Sequence, residues 1–213
     1  MSTEEKIARA LLEIGAVVIR PDEPFIWASG IKSPIYCDNR LTLTAPAIRA
    51  EIESGLAGLL SAHYPGCELL MGTSTAGIAH AAIVGHLTGL PMGYVRGGAK
   101  THGRKNQIEG RLEKGQRTVV VEDLISTGGS VIEVVNVLRE AGAEVLGVVS
   151  IFTYGMEKGL RRLAEAKVTN HSLTNLDVLV SAASRDGLIP ETDIARICRF
   201  RDDPSDESWI DRL

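Results

Sequence analysis

The 213-residue sequence predicts an α/β protein with a mainly parallel sheet flanked by helices. From about residue 68 onward, short β-rich runs alternate with amphipathic helical patterns, which is the order of βαβ units. The run 118–121 is continuous and apolar, as expected for a strand that helices cover on both faces. Residues 20–46 hold four prolines, which restrict the short apolar runs there to loops or edge strands.

The individual elements follow from capping and periodicity. Ser2 and Glu5 have capping-box spacing ahead of a helical apolar pattern, which predicts a helix over 3–14. Apolar residues recur on one helical face from Ala47 to His63, and Pro65 follows. Further helices are predicted at about 77–89, 129–141, 156–166, 175–186 and 190–199. The predicted strands are 68–71, 92–95, 118–121, 145–153 and 167–173.

Composition indicates a globular protein of one domain. Hydrophobic residues are 44% and charged residues 23%, which excludes disordered, collagen-like and coiled-coil chains. No apolar run approaches the ~20 residues that cross a bilayer, and the first residues do not resemble a signal peptide. Three widely spaced cysteines predict neither a disulfide framework nor a zinc site, so a cytoplasmic location is expected. The expected parts are an N-terminal addition over about 1–45, an α/β core over about 46–174 and C-terminal helices over 175–213.

The charge distribution predicts a local anionic ligand. The net charge of −4 argues against a nucleic-acid or membrane partner. From Arg96 to Arg117, however, the sequence contains seven lysines and arginines but only two acidic residues. A solvated charged loop is the alternative interpretation of this segment.

Three loops should carry the chemistry, because ligands of open α/β sheets bind beyond the carboxyl ends of the strands. These loops are 72–77, 96–110 and 122–130. Residues 96–110 contain four glycines and predict a lid, with a plain surface loop as the alternative.

The segment 122–130 gives the most specific signal. Its two leading carboxylates, Glu122 and Asp123, are suited to accept hydrogen bonds from vicinal sugar hydroxyls. Small and hydroxylated residues then lead into a helix, where backbone N–H groups can surround a phosphate. Together they predict a site for a ribose 5-phosphate, and a simple helix cap is the alternative. Neither GxGxxG nor a Walker A loop occurs, which argues against NAD enzymes and P-loop NTPases.

Several segments carry a resemblance to a known family. Val119–Ser130 resembles the signature of phosphoribosyltransferases that use 5-phosphoribosyl 1-diphosphate. Other segments are similar to the orotate phosphoribosyltransferases: the N-terminal hood at 25–40, the diphosphate turn at 72–77, the mobile catalytic loop at 96–110, and the segments 151–154 and 203–209.

The resemblance implies an activity and an assembly. The implied fold is a sheet of the phosphoribosyltransferase type with a small N-terminal hood, about residues 1–45. The implied reaction converts orotate and phosphoribosyl diphosphate into orotidine 5′-monophosphate and diphosphate, with Mg²⁺, in pyrimidine (UMP) synthesis. A homodimer is implied, because in this family the lid reaches into the neighbouring subunit's site.

The resemblance also implies residue roles. Lys100 is the expected main transition-state contact, and Asp123 helps as a base or as the one protein group near the metal. The metal is otherwise held by diphosphate and ribose. The expected phosphoribosyl-diphosphate contacts are Arg96, Lys100, His102, Glu122, Asp123, Leu124, Ile125, Ser126, Thr127, Gly128, Gly129, Ser130, Thr75, Ala76 and Gly77. The expected orotate contacts are Ser126, Tyr36 and Cys37, with Lys32 and Arg40 as a further hypothesis.

That hypothesis comes from departures from the family pattern. Ala28 and Ala76 stand where many relatives carry a lysine, and Tyr154-Gly155 stands where some carry an arginine. Gly97-Gly98 occupies a part of the lid where another lysine is expected. We expect Lys32 and Arg40 to compensate, Arg40 through a bidentate contact with the orotate carboxylate. A surface salt bridge is the alternative role of Arg40.

The sequence leaves two other functions open. A phosphoribosyltransferase for another base, such as a purine, would keep the fold but needs a different hood. A non-catalytic sensor of phosphoribosyl diphosphate would keep the 122–130 loop and lose the chemistry of the lid.

Overall fold

A six-stranded sheet forms the centre of the computed structural model, which describes residues 1–27, 30–98 and 107–210. The strand order is β10-β9-β8-β5-β6-β7, and every neighbouring pair is parallel except β6 and β7. The sheet strands are β5 (Leu69–Thr73), β6 (Met92–Val95), β7 (Ile108–Glu109), β8 (Arg117–Ile125), β9 (Glu144–Thr153) and β10 (Asn170–Asn175). The predicted mainly parallel sheet is confirmed.

Helices cover both faces of this sheet. They are α1 (Thr3–Glu13), α2 (Pro46–His63), α3 (Ala76–Thr88), α4 (Gly129–Glu140), α5 (Glu157–Glu165), α6 (Leu176–Arg185) and α7 (Glu191–Asp202). The predicted cap of α1 is confirmed, since the Ser2 side chain accepts from the Glu5 N–H at 3.2 Å. Within the described ranges, no helix combines the length and the apolar character that a membrane span requires.

Strand β8 lies between two apolar layers. Val119 and Val121 pack into the layer that contains α1, α2, α3 and α6, whereas Val120 faces the layer beneath α4 and α5. All three valines are fully buried. A strand buried on both faces needs no polar alternation, which explains the continuous apolar run.

The N-terminal hood consists of two short antiparallel ribbons. Strand β1 (Val17–Ile19) pairs with β4 (Ile35–Cys37), and β2 (Phe25–Ile26) pairs with β3 (Lys32–Ser33). A 3-10 helix, Asn39–Thr44, then leads into α2. The sequence predicted loops or edge strands from residue 20 onward and missed β1, because three residues give too little periodicity.

Several predicted boundaries were wrong. The helix predicted over 190–199 extends to Asp202, and the strand predicted over 68–71 extends to Thr73. Strand β8 continues to Ile125, so half of the predicted 122–130 loop is strand, because β9 extends alongside it. The predicted 96–110 loop contains β7, which pairs with β6. Strand β10 begins at Asn170 rather than 167, because Lys167 follows α5 with a left-handed backbone, φ 53°.

Candidate active site

A cavity of about 470 Å³ opens at the carboxyl ends of β5 and β8. All three predicted loops contribute to it, together with the end of the hood. The predicted residues that line it are Cys37, Arg40, Thr75, Ala76, Arg96, Glu122, Asp123, Leu124, Ser126 and Ser130. The sheet topology therefore brings together segments that lie up to 93 positions apart in the sequence.

The turn after β5 depends on two glycines. A Cβ atom on Gly77 would lie 2.4 Å from the carbonyl oxygen of Val121, and one on Gly72 would lie 2.8 Å from the carbonyl oxygen of Gly77. Only glycine lets the start of α3 lie this close to β8. On the other side, the Ser74 N–H and hydroxyl both donate to the Val95 carbonyl, at 3.1 and 2.5 Å. The turn is thus fixed against β6 and β8, and its Ser74–Thr75 peptide is cis.

The two adjacent carboxylates differ in environment. Glu122 is only 5% exposed and accepts from the Thr73 hydroxyl at 2.7 Å and from the Asp123 N–H at 3.0 Å. Burial, reinforced by the neighbouring Asp123 carboxylate, raises the pKa of Glu122 to about 8. Asp123 is half-buried and lines the cavity. Glu122 can therefore hold a proton near neutral pH in the absence of a ligand.

The turn between β8 and α4 presents a helix N-terminus to the cavity. Gly128 adopts a left-handed conformation, φ 71°, immediately before α4 begins, and Ser126 and Ser130 line the cavity on either side of it. Helix α5 supports this turn from behind, because a Cβ atom on Gly159 would lie 2.4 Å from the Ser126 carbonyl. Arg162 also donates to the Thr127 carbonyl at 3.3 Å. N–H groups and the positive end of the helix dipole make this turn suited to an anion.

Five of the predicted phosphoribosyl-diphosphate contacts do not line the cavity. They are Gly77, Ile125, Thr127, Gly128 and Gly129. Ile125 ends β8, and the other four belong to the two turns whose neighbouring residues line the cavity. Three of the five are glycines, which shape the turns through their backbone.

The hood contributes one basic group to the cavity. Arg40 uses Nε and Nη2 in a bidentate pair with both carboxylate oxygens of Asp38, at 2.6 and 2.7 Å. Beside it, burial raises the pKa of the Cys37 thiol. Lys32 instead pairs with Glu207 at 2.7 Å, and Tyr36 packs against Phe25. Neither Lys32 nor Tyr36 lines the cavity.

The described parts of the predicted lid, residues 96–98 and 107–110, form its stem and are well connected. The Arg96 N–H donates to the Gln107 carbonyl at 2.8 Å, and the Gln107 amide donates back to the Arg96 carbonyl at 3.3 Å. The Arg96 guanidinium lies 3.1 Å from Glu109. Lys100 and His102 lie outside the described residues, as does Ala28.

Several residues of this site were not predicted from the sequence. Asp38, Ser74, Gln107 and Glu133 line the cavity, and Asn39 supports it from below. Asp38 and Asn39 follow Cys37 directly in the segment that resembles the hood, so that segment held a usable signal. Glu133 had none, because an exposed glutamate one turn into a helix is ordinary.

Asp123 gives the cavity a carboxylate that suits a metal arriving with its substrate. Among the described residues, no group of three or more His, Cys, Asp and Glu side chains is placed to hold a metal ion. Mg²⁺ commonly takes one or two carboxylates and completes its shell with substrate phosphates and water. Asp123, which faces the cavity, is suited to supply such a carboxylate.

A parallel sheet whose strand ends carry an acid pair between a glycine-dependent turn and a helix N-terminus has the arrangement of a phosphoribosyltransferase. Residues 70–180 match the family model described as the phosphoribosyl transferase domain. This match spans β5 to α6, which includes both turns and the acid pair.

Similarity over the whole chain narrows the class. An orotate phosphoribosyltransferase of Bacillus cytotoxicus is 55% identical over 207 residues, covering 97% of this chain and 99% of that protein. The crystal structure of orotate phosphoribosyltransferase from Aeropyrum pernix is 29% identical with a TM-score of 0.74, over 86% of this chain and 99% of that one. Leishmania donovani UMP synthase aligns over 94% of this chain and 42% of its own length, with 28% identity and a TM-score of 0.81. The chain belongs to the phosphoribosyltransferase family and, within it, to the orotate phosphoribosyltransferases.

Proposed function

We propose that the protein transfers the 5-phosphoribosyl group of phosphoribosyl diphosphate to orotate, releasing diphosphate and orotidine 5′-monophosphate in UMP synthesis. The observation that carries this proposal is the meeting of an acid pair, the turn after β5 and the N-terminus of α4 in one cavity of about 470 Å³. The relatives that match the chain end to end supply the identity of the base.

Each part of phosphoribosyl diphosphate has a suitable partner. The turn at 126–130 receives the 5′-phosphate, and Asp123 accepts hydrogen bonds from the ribose hydroxyls. Leu124 and Ile125 set the spacing between these two contacts. The turn at 75–77 binds the diphosphate through its backbone, and Arg96 approaches from the lid stem. Lys100 and His102 would add positive charge to the departing diphosphate.

The chemistry explains this arrangement. Breaking the bond from C1′ to diphosphate builds positive charge on the ribose and negative charge on the leaving group. Cations fixed around the leaving group would lower the barrier by several kcal/mol, ~3 kcal/mol for each well-placed hydrogen-bond donor. Bound Mg²⁺ would supply further charge neutralisation at the diphosphate. Asp123 holds the ribose in line, and the lid excludes water that would trap the cationic sugar.

Orotate is placed against the hood end of the cavity. Asp38 occupies two of the five N–H donors of Arg40, so three others can reach a carboxylate. Cys37 and Ser126 flank this position. The Asp38 pair thus orients Arg40 while leaving it able to bind the orotate carboxylate.

We also propose that the protein is a cytoplasmic, single-domain homodimer whose lids serve the neighbouring site. All three cysteines are free, which is consistent with a reducing compartment. A complementation assay tests the sharing of sites: Lys100→Ala and Asp123→Asn proteins are mixed and allowed to exchange subunits. Each variant alone should be nearly inactive, and the mixture should regain up to about a quarter of wild-type activity. If the mixture stays as inactive as its components, each lid serves its own subunit.

The reaction itself is tested with a panel of bases. Purified protein is mixed with phosphoribosyl diphosphate, Mg²⁺ and orotate, adenine, hypoxanthine or uracil, and consumption of the base is followed by ultraviolet absorbance. Only orotate should be consumed rapidly, and the Lys100→Ala protein should lose this activity. Consumption of another base instead would show that the protein is a phosphoribosyltransferase for that base. If the protein binds phosphoribosyl diphosphate but consumes none of the bases, a sensor would be favoured.

A further inference from the structure

Asn39 connects the hood to the acid pair through a buried side chain. It is fully buried at the start of the 3-10 helix that follows β4. Its amide Nδ2 donates to the carbonyl oxygen of Asp123 at 2.7 Å, and its Oδ1 accepts from the Cys37 thiol at 3.3 Å. One side chain therefore bonds to the hood and to β8, which lie 84 positions apart.

The bond to Asp123 replaces a missing strand partner. The pairing of β5 with β8 ends at Gly72 and Val121, two residues before Asp123. Beyond that point, the Asn39 amide takes the place of a strand partner for the backbone of β8. Since the Asp123 N–H donates to the Glu122 carboxylate, both backbone groups of Asp123 are held by side chains. A carbonyl buried without its partner would be costly, so this contact fixes the position of Asp123.

The residues around Asn39 face the other way. Cys37, Asp38 and Arg40 line the cavity, whereas Asn39 lies beneath it. The segment is rigid, because the Asp38 carboxylate caps the Arg40 N–H at 3.2 Å and the Thr42 hydroxyl donates to the Asn39 carbonyl at 2.6 Å. A displacement of the hood would therefore move Asn39, and Asn39 would move Asp123.

We propose that Asn39 is a positioning residue that couples the base-binding hood to the ribose-binding carboxylates. The inference rests on the proposed function, because it assigns the hood to orotate and Asp123 to the ribose. Asn39 itself touches neither substrate. Its effect should appear first in the binding of phosphoribosyl diphosphate, through the position of Asp123.

Two variants separate its two hydrogen bonds. Asn39→Leu has a similar shape and removes both. Asn39→Asp keeps an acceptor for the Cys37 thiol but places an oxygen against the Asp123 carbonyl. The matched control is Tyr64→Phe, which removes a buried side-chain hydrogen bond to a backbone carbonyl, that of Thr169 at 3.0 Å, outside the cavity.

The experiment measures the dissociation constant of phosphoribosyl diphosphate with Mg²⁺ by calorimetry, together with the melting temperature of each protein. Both Asn39 variants should bind at least about tenfold more weakly, which corresponds to about 1.4 kcal/mol. Tyr64→Phe should lower the melting temperature by a similar amount and leave binding within twofold. Asn39→Asp should regain affinity relative to wild type as the pH falls, because a protonated carboxyl can again donate to the carbonyl. Asn39→Leu should show no such recovery.

Several outcomes would overturn the inference. Asn39 variants that bind within twofold of wild type would exclude the coupling, as would a Tyr64→Phe protein that loses affinity to the same degree. If Asn39→Leu does not fold, the near-isosteric Asn39→Asp decides the question by its affinity and pH profile. A different result would contradict the proposed function: the wild-type protein would bind phosphoribosyl diphosphate but would not consume orotate.

Discussion

The two halves of the cavity are built in different ways. The strand-end turns, residues 72–77 and 122–130, take their shape from the strands that carry them and from adjacent glycines. The hood has strands of two or three residues and is held by contacts with the far end of the chain. Lys32 pairs with Glu207, and the Trp27 ring packs against Phe200. The half assigned to phosphoribosyl diphosphate is therefore built on the strands of the sheet, whereas the half assigned to the base depends on packing against the C-terminal segment.

Arg196 is the centre of this long-range support. It lies on α7, is 3% exposed, and donates from Nη1 to Asp22 and Asp193, each at 2.9 Å. It also donates to the carbonyl groups of Pro21, at 3.1 Å, and Trp209, at 3.0 Å. One guanidinium thus joins the hood, α7 and the C-terminal segment. With the Ile210 carbonyl, at 2.9 Å, its donors are shared among five partners, which lowers the cost of burying its charge.

The largest predicted effect is therefore on stability and comes from Arg196. Replacing Arg196 with alanine should lower the free energy of unfolding by about 3–5 kcal/mol, because Asp193 stays buried without its partner. Urea unfolding measures this difference. The matched control is Arg161→Ala, which breaks an exposed pair with Glu157 and should have little effect. Equal stability losses in the two variants would mean that the hood does not depend on this contact.

A smaller effect tests the strand-end turn. Gly77→Ala should destabilise the protein by about 1–3 kcal/mol, since its Cβ would lie 2.4 Å from the Val121 carbonyl. It should also weaken the binding of phosphoribosyl diphosphate. Gly58→Ala is the control, because Gly58 lies on the exposed side of α2 with open space around its Cβ position. Thermal unfolding should show that Gly58→Ala is neutral or stabilising, and a harmless Gly77→Ala would contradict the close approach.

A further predicted effect is a pH dependence of stability that originates in Glu122. Its pKa is raised from 4.5 to about 8 in the folded protein, so the folded state holds a proton that the unfolded chain releases. Without ligands, the free energy of unfolding should fall as the pH rises between these values, by at most about 1.4 kcal/mol per pH unit. Urea unfolding at several pH values measures this slope. Glu122→Gln should flatten it and the exposed Glu165→Gln should not; an unchanged slope in Glu122→Gln would show that Glu122 is ionised throughout.

The sequence predicted the locally specified parts well. Strand β6 has the predicted bounds, and the Ser2 cap and the start of α4 at Gly129 are confirmed, because each depends on neighbouring residues. The extension of β8 to Ile125 was not predictable, since it requires β9 alongside.

The hood was predicted less well for the same physical reason. Lys32 was expected beside orotate, but it pairs with Glu207, which lies 175 positions away. No local sequence pattern predicts that pair. Asn39 lies in the segment that resembles the hood, but its contact could not be predicted, because Asp123 lies 84 positions away. A single sequence shows which side chains a segment carries but not which distant segment it meets.

The central claim is that the strand-end turns bind phosphoribosyl diphosphate and the hood binds orotate. Steady-state kinetics of Asp123→Asn and Arg40→Ala test it most directly, with the KM of each substrate measured at a saturating concentration of the other. Asp123→Asn should raise the KM of phosphoribosyl diphosphate and lower kcat, whereas Arg40→Ala should raise the KM of orotate about tenfold or more and leave the other within twofold. An unchanged orotate KM in Arg40→Ala, or equal increases for both substrates, would contradict this division of the cavity.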